Sequence, residues 1–317
     1  MFAAFGLPVL IWLGLFFVVP LGIIGLYSFG ENVSITRIET TWTLANYARI
    51  TDPVILELFW RSLWLAAVAT LICLAVGLPM ALVIATASPG AKPWLLLAIM
   101  LPFWTNLLIR TYALLNILGT RGRLNDVLGW LHAKGQSLLG ALGLDHLGLL
   151  GERFVPLTLL GTPAGVVYGI VYVSLPFAIL PIYSSLERMD RTLLEASMDL
   201  GAGQWTTVRR VLVPLALPGI LTAALITFIP ALGQFLTPDL LGRGQVDMIA
   251  NVIERQFKKA NDWPFGSALS LVLLYVTFIL LAARAFADAA RTRRSERDRE
   301  IAAAAIRAAA PERRASA

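Results

Sequence analysis

The polar chemistry of this chain gathers in Leu194-Glu195-Ala196-Ser197-Met198-Asp199-Leu200-Gly201, followed after nine residues by Val211-Leu212-Val213-Pro214. The chain has 317 residues, 57% of them hydrophobic, with a mean hydropathy of +0.73. A charged island in so apolar a chain implies a user outside the membrane. The Glu195 carboxylate and the groups around it suit ionic and hydrogen-bonded docking to a second protein.

Two short helices with a break between them would position these groups. Asp190 can cap the first helix, with Leu193, Leu194, Ala196 and Leu200 forming its apolar side, and Gly201 and Gly203 ending it. The second carries Trp205, Val208, Arg209 and Leu212 at helical spacing, and Pro214 is expected to stop it.

Catalytic and cofactor chemistry has little material to work with. The sequence contains no Gly-x-x-x-x-Gly-Lys-Ser/Thr phosphate loop and no Gly-x-Ser-x-Gly elbow. His132 and His146 are isolated, without metal-ligand spacing, and the single Cys73 lies in an apolar stretch, so neither a metal centre nor a disulfide framework is expected. No cofactor is expected on this chain, which directs the energy question to a partner or an ion gradient.

The supporting elements are membrane helices, each needing about 20 mainly apolar residues. Apolar windows fall at 7–29, 62–87, 94–118, 163–185, 215–238 and 266–287, so the expected fold class is all-α, a polytopic membrane protein of six transmembrane helices. The docking loop, about 188–214, falls between helices 4 and 5. Residues 1–287 would form the membrane domain and 288–317 a basic tail. The first window lacks a basic flank and a clear small-residue cleavage site, so it reads as a retained helix rather than a signal peptide.

Net charge is +6, yet nine of the 26 Lys and Arg lie from Arg284 onward, at and beyond the end of the last window. That pattern is a juxtamembrane tail, not a nucleic-acid surface, and membrane lipid is its natural neighbour. The positive-inside tendency puts the tail, both termini and the loop in the cytoplasm. No Asp or Glu falls inside any window, which disfavours a gradient-driven carrier built on buried carboxylates.

Other residues are candidates for a transport pathway. Arg110, inside the third window, either lines a wet cavity or snorkels to the headgroups. Trp104 stands near it; Tyr168 and Tyr172 share the fourth window with Pro176 and Pro181. Gln234 and Asp239 follow Pro230, where the helix either loosens towards a cavity or simply ends. A short helix is expected over 124–131 and an amphipathic one over Asp247–Trp263, with Met248, Val252 and Phe257 on one face.

The loop resembles the "EAA" motif of ABC importer permeases: Glu-Ala-Ala, three residues, Gly, nine residues, then Ile-x-Leu-Pro. Glu195-Ala196-Ser197, Gly201 and Val211-Leu212-Val213-Pro214 keep every offset, with Ser197, Val211 and Val213 as mild departures. Pro102-Phe103-Trp104-Thr105, Leu108-Ile109-Arg110, Leu175-Pro176-Phe177 and Asp262-Trp263-Pro264-Phe265 are similar to the spermidine/putrescine permeases in particular. The resemblance implies a polyamine-importing permease paired with a second permease, two copies of a cytoplasmic ATPase holding ATP and Mg, and a periplasmic substrate-binding protein. It further implies that Glu195, Ala196, Ser197, Gly201 and Pro214 couple to the ATPase. Another small organic amine or a phosphonate remains the alternative substrate.

Overall fold

In hydrocarbon every backbone N–H and C=O must be satisfied within the protein, so apolar windows of this length resolve into helices. The computed structural model of the protein describes residues 2–34, 37–141, 154–190 and 192–286. The tail from 288 and His146 lie outside the described residues. In chain order the elements are α1 (Gly6–Ser28), a hairpin of β1 (Glu31–Ser34) and β2 (Arg37–Glu39), α2 (Ala45–Ile50) and α3 (Pro53–Thr86). Then come α4 (Lys92–Trp104), α5 (Leu107–Leu118), α6 (Arg123–Ala141), α7 (Pro163–Glu187) and α8 (Thr192–Asp199). The chain ends its described course with α9 (Gln204–Leu232), α10 (Leu236–Gly242), α11 (Ile249–Arg255) and α12 (Trp263–Phe286).

Five of these, α1, α3, α7, α9 and α12, are long and apolar enough to cross a bilayer. The sixth expected span, 94–118, is not one straight helix: α4 and the helical segment Leu107–Ser137 meet at 94°. Local chemistry explains the break. The end of α4 tightens into a 3₁₀ turn at Leu101–Trp104, Thr105 is extended, and the Asn106 side chain accepts the Leu108 amide at 2.8 Å to start α5.

The core is a three-helix packing of α3, α7 and α9, with α3 against α7 the most extensive contact. Lipid is as apolar as leucine, so close approach through small residues replaces the hydrophobic effect as the organiser. Ala66, Ala69, Cys73 and Ala81 of α3, Ala178 of α7 and Ala216 and Ala223 of α9 are buried there. At Gly219 a methyl group would lie 2.5 Å from Ser185 Cβ and 2.7 Å from the Pro181 carbonyl oxygen, so α9 can lie on α7 only without a side chain at that position.

Pro214 does not stop the second loop helix, as the sequence suggested it would. A π turn over Val208–Leu212, in which the Val213 amide donates to the Val208 carbonyl, leads directly into the rest of α9. The widened turn accommodates both the missing proline N–H and its steric demand on the preceding turn. The same device, a π turn over Gly14–Val18, precedes Pro20 in α1.

Element ends also moved. α3 starts at Pro53 because Asp52 accepts the Val54 amide at 2.8 Å, and α9 ends at Leu232 rather than 238, with Gly233 at its C-cap. The expected helix at 124–131 is part of the longer α6. At the end of the bundle away from the loop, Arg49 pairs with Asp262 at 2.9 Å and stacks 3.8 Å over Phe265, tying α2 to α12. Asn32 of the hairpin donates to the same carboxylate at 3.4 Å.

Candidate functional site

The loop between Asp190 and Pro214 is built from its caps inward. Asp190 Oδ1 accepts the Thr192 amide at 3.0 Å; this bond, with one from the Thr192 hydroxyl, holds the Asp190 carboxyl below its usual range. α8 runs to Asp199 and closes with Gly201 N–H on the Met198 carbonyl at 2.9 Å and Ala202 N–H on the Ser197 carbonyl at 3.2 Å. Gly201 sits at φ +81°, the left-handed conformation that such a helix end demands. After Gly203 the chain turns into α9, and Ser197 Oγ meets Thr207 Oγ1 at 3.0 Å across the elbow. Pro214 occupies the first turn after the π segment.

Only part of the apolar side expected for this loop is buried. Leu194 and Leu212 pack against the cluster of Ala85, Ile182 and Leu186. Leu200 is 89% exposed and Trp205 76%, with Leu193 and Met198 also exposed. Leu200 and Trp205 thus stand in solvent on a polar loop. Leu200 was expected on the apolar side of the first helix; the structure leaves it in solvent.

Glu195 and Ala196 are exposed. Glu195 forms the rim of a cleft of about 230 Å³ shared with Leu82, Ala85 and Thr86 of α3, Glu187 at the end of α7 and Met189 beyond it. Lys92 Nζ holds both oxygens of Glu187, at 2.6 and 2.7 Å. The start of α4, the end of α7 and the docking loop therefore meet around one cleft.

The pathway candidates fall in separate places. Arg110 is 8% exposed and turned into the protein: Nη2 donates to the Thr105 carbonyl at 3.1 Å, and the guanidinium lies 5.1 Å from the Phe103 ring centre. Phe103 in turn meets Phe177 edge-on at 4.7 Å. A cation at the carbonyl end of the broken helix satisfies a group that the bend releases. Trp104, beside it, is 80% exposed.

Tyr172 borders a cavity of about 530 Å³ with Pro79, Met80, Pro102 and Pro176, and Tyr168 is exposed on α7. Gln234 stands in the break between α9 and α10 and accepts from the Thr237 hydroxyl at 3.4 Å; Asp239 is exposed on α10. Met248 and Val252 are buried as expected, but the helix over 247–263 is shorter, Ile249–Arg255, and Phe257 falls half-buried in the π turn Gln256–Ala260 that follows. Among the described residues no group of three or more His, Cys, Asp or Glu side chains could hold a metal ion.

Comparison with known proteins adds a lineage to this geometry. Residues 91–294 match the family described as "Binding-protein-dependent transport system inner membrane component". The "Spermidine/putrescine transport system permease protein PotB" of Escherichia coli (strain K12) is 40% identical over 271 residues, 85% of this chain and 91% of that protein. Its namesake in Haemophilus influenzae is 38% identical over 239 residues, 75% of this chain and 77% of that one. Among solved structures, a bacterial alginate ABC transporter in complex with an alginate pentasaccharide-bound periplasmic protein shares the fold, with a TM-score of 0.64 at 14% identity, covering 89% of this chain and 91% of that one. With the matched stretch spanning most of the chain and several apolar spans around it, this protein is a multi-pass inner-membrane component of the binding-protein-dependent transport family.

Proposed function

We propose that the chain is the permease subunit of an ATP-driven importer of polyamines, with spermidine and putrescine as the substrate class. The observation that carries this reading is the 40% identity, over 85% of the chain, to permeases named for those two amines. The solvent-facing helix, glycine elbow and helix around Glu195, Gly201 and Pro214 support it, because that is the form a docking element needs.

In this reading two copies of a cytoplasmic ATPase carry ATP and Mg, and one seats on Leu200, Trp205 and the Glu195–Ala196–Ser197 face. A second, homologous permease completes the pathway, and a periplasmic binding protein delivers the amine. The loop and both termini face the cytoplasm, where the basic tail, 288–317, meets anionic lipid. Closure of the ATPase would push on α8; the Ser197–Thr207 bond and the packing of Leu194 and Leu212 carry that push into α9 and α7.

Uptake of radiolabelled putrescine and spermidine into vesicles carrying the full transporter tests the reading, with and without ATP and with Glu195→Ala as control. ATP-dependent uptake that the control loses is the expected result. ATP-dependent uptake of a different solute would remove the polyamine assignment alone, and uptake driven by an ion gradient without ATP would remove the ATPase coupling.

A further inference from the structure

On the side away from the docking loop, five cations each have a carboxylate of this chain: Arg37 with Glu39, Arg49 with Asp262, Arg61 with Glu57, Arg255 with Asp247 and Lys258 with Glu254. Arg123, Lys134 and Lys259 have no carboxylate partner among the described residues, and neither have Arg121 and Arg243, which differ in sharing a cavity. Both line one cavity of about 440 Å³, with Asn116, Thr120 and Thr158 as its other polar side chains and no carboxylate in its wall. Neither guanidinium has an ion pair or hydrogen bond among the described residues.

Both are presented from firm supports. Arg121 lies in a turn closed by Gly122 N–H on the Gly119 carbonyl at 2.9 Å, and a side chain at Gly122 would strike the Asn116 and Ile117 carbonyls. Arg243 caps α10 in the left-handed conformation, φ +48°, behind the fully buried Leu241, whose carbonyl accepts the Gly161 amide at 2.7 Å. Two guanidinium forks held on separate elements around one polar cavity match carboxylate geometry.

We propose that this cavity receives acidic side chains of the periplasmic substrate-binding protein, as the electrostatic part of its docking site. The proposal rests on the importer reading above, which puts this side of the bundle outside the cell. Opposite charges across an interface steer encounter and fix register, so a carrier that docks here meets these two arginines best with carboxylates. The same two arginines repel a free polyamine from this part of the surface, which suits delivery by a docked carrier over capture from solution.

The test uses the complete transporter in phosphatidylcholine nanodiscs and measures the concentration of polyamine-loaded binding protein that half-maximally stimulates ATP hydrolysis. The double variant Arg121→Glu/Arg243→Glu is expected to raise that concentration about tenfold, with unstimulated hydrolysis unchanged, while Arg121→Lys/Arg243→Lys stays within about threefold of the parent. Added salt should weaken the parent's response and leave the reversed variant nearly flat. An unchanged half-maximal concentration in the reversed variant overturns the proposal.

If the double reversal also lowers unstimulated hydrolysis, the milder Arg121→Gln/Arg243→Gln variant decides by the same half-maximal concentration. Should the charge effect appear only when anionic lipid is added to the nanodiscs, the cavity serves a lipid phosphate and the proposal fails. A parent transporter that the binding protein does not stimulate at all overturns the importer reading itself, a result distinct from equal stimulation of parent and variant.

Discussion

Ser197 and Thr207 place their hydroxyl oxygens 3.0 Å apart across the Gly201 elbow, joining the two arms of the docking loop. Thr207 is only 6% exposed, so its hydroxyl relies on partners within the protein. Ser197 is also the position at which the sequence departs from a second alanine in the Glu-Ala-Ala pattern, and the bond gives that departure a physical purpose. Ser197→Ala should cost about 1 kcal/mol of local stability, the usual net worth of one such bond. Hydrogen exchange at the Ala202 and Thr207 amides should then quicken about fivefold, and Ser197→Ala added to Thr207→Val should change little more. Equal exchange in parent and variant would show that the bond does not close the loop.

Gly201 separates backbone strain from crowding. Its φ of +81° disfavours any side chain, yet a methyl group there would meet nothing within 4 Å. Substitutions should therefore rank by tolerance of the left-handed conformation: Asn mildest, Ala intermediate at a cost of about 1 kcal/mol, and Val worst. ATP-driven uptake is expected to fall in that order while membrane insertion, read by protease protection, is unchanged. A ranking by side-chain volume, with Ala milder than Asn, would place the defect in crowding against the docked partner instead.

Asp190 caps α8 through its bond to the Thr192 amide, and its carboxyl is held below the usual range. A group whose folded pKa is depressed contributes above its unfolded pKa and loses that contribution as pH falls through the lower, folded value. Between about pH 6 and pH 8 the cap should thus be constant, and exchange in α8 should show no titration from this residue. Asp190→Ala should speed exchange in the first turn of α8 several-fold, whereas Asp190→Asn, which can still accept the Thr192 amide, should change it little.

Much of this architecture was legible in the sequence because bilayer thickness and helix rise leave few solutions for windows such as 163–185, which became Pro163–Glu187. The elbow was legible because glycine is the ordinary residue for a left-handed helix end. What was hidden depends on neighbours. Pro214 looked like a stop, but the five-residue π turn Val208–Leu212 lets the helix continue. The 94° break at Thr105 is carried by Asn106 and by the reach of Arg110, contacts that an apolar window does not reveal. The β1–β2 hairpin lies in a polar connector with no marked alternation, and its register bulges between Asn32 and Ser34. Exposure of Leu200 and Trp205 depends on which neighbours the folded chain brings near, which spacing along either helix does not encode.

Arg110 should be the fastener of the broken span. Its guanidinium is buried, bonds the Thr105 carbonyl at 3.1 Å and faces Phe103, while Nε has no hydrogen-bond partner among the described residues. Arg110→Leu would leave the Thr105 carbonyl without its donor and is expected to loosen the bend, costing about 1–3 kcal/mol locally. Spin labels at Trp94 and Asn116, on either side of the break, should report a broader distance distribution. Arg110→Lys, which keeps charge but lacks the planar fork, should fall between parent and Leu. A distribution unchanged by Arg110→Leu would assign the bend to Pro102 and Asn106 alone.

The Lys92–Glu187 pair ties the first residue of α4 to the last of α7, next to the cleft that Glu195 rims. The Lys92 side chain is 16% exposed and that of Glu187 39%, so water screens the pair less than it would at an open surface. Reversing one charge leaves two like charges at this junction. Lys92→Glu should therefore impair uptake more than Lys92→Met, which removes the attraction without adding repulsion. The exchange Lys92→Glu/Glu187→Lys should recover most of the loss, because the contact needs opposite charges and not a fixed polarity. Coupling between the two sites, taken from a double-mutant cycle on thermal stability of the detergent-solubilised transporter, is expected at about 1 kcal/mol. Additive effects, with no recovery in the exchanged pair, would mean that α4 is held at this end by Leu95 and Leu96 against the core and that the ion pair carries no motion from the loop to the broken span.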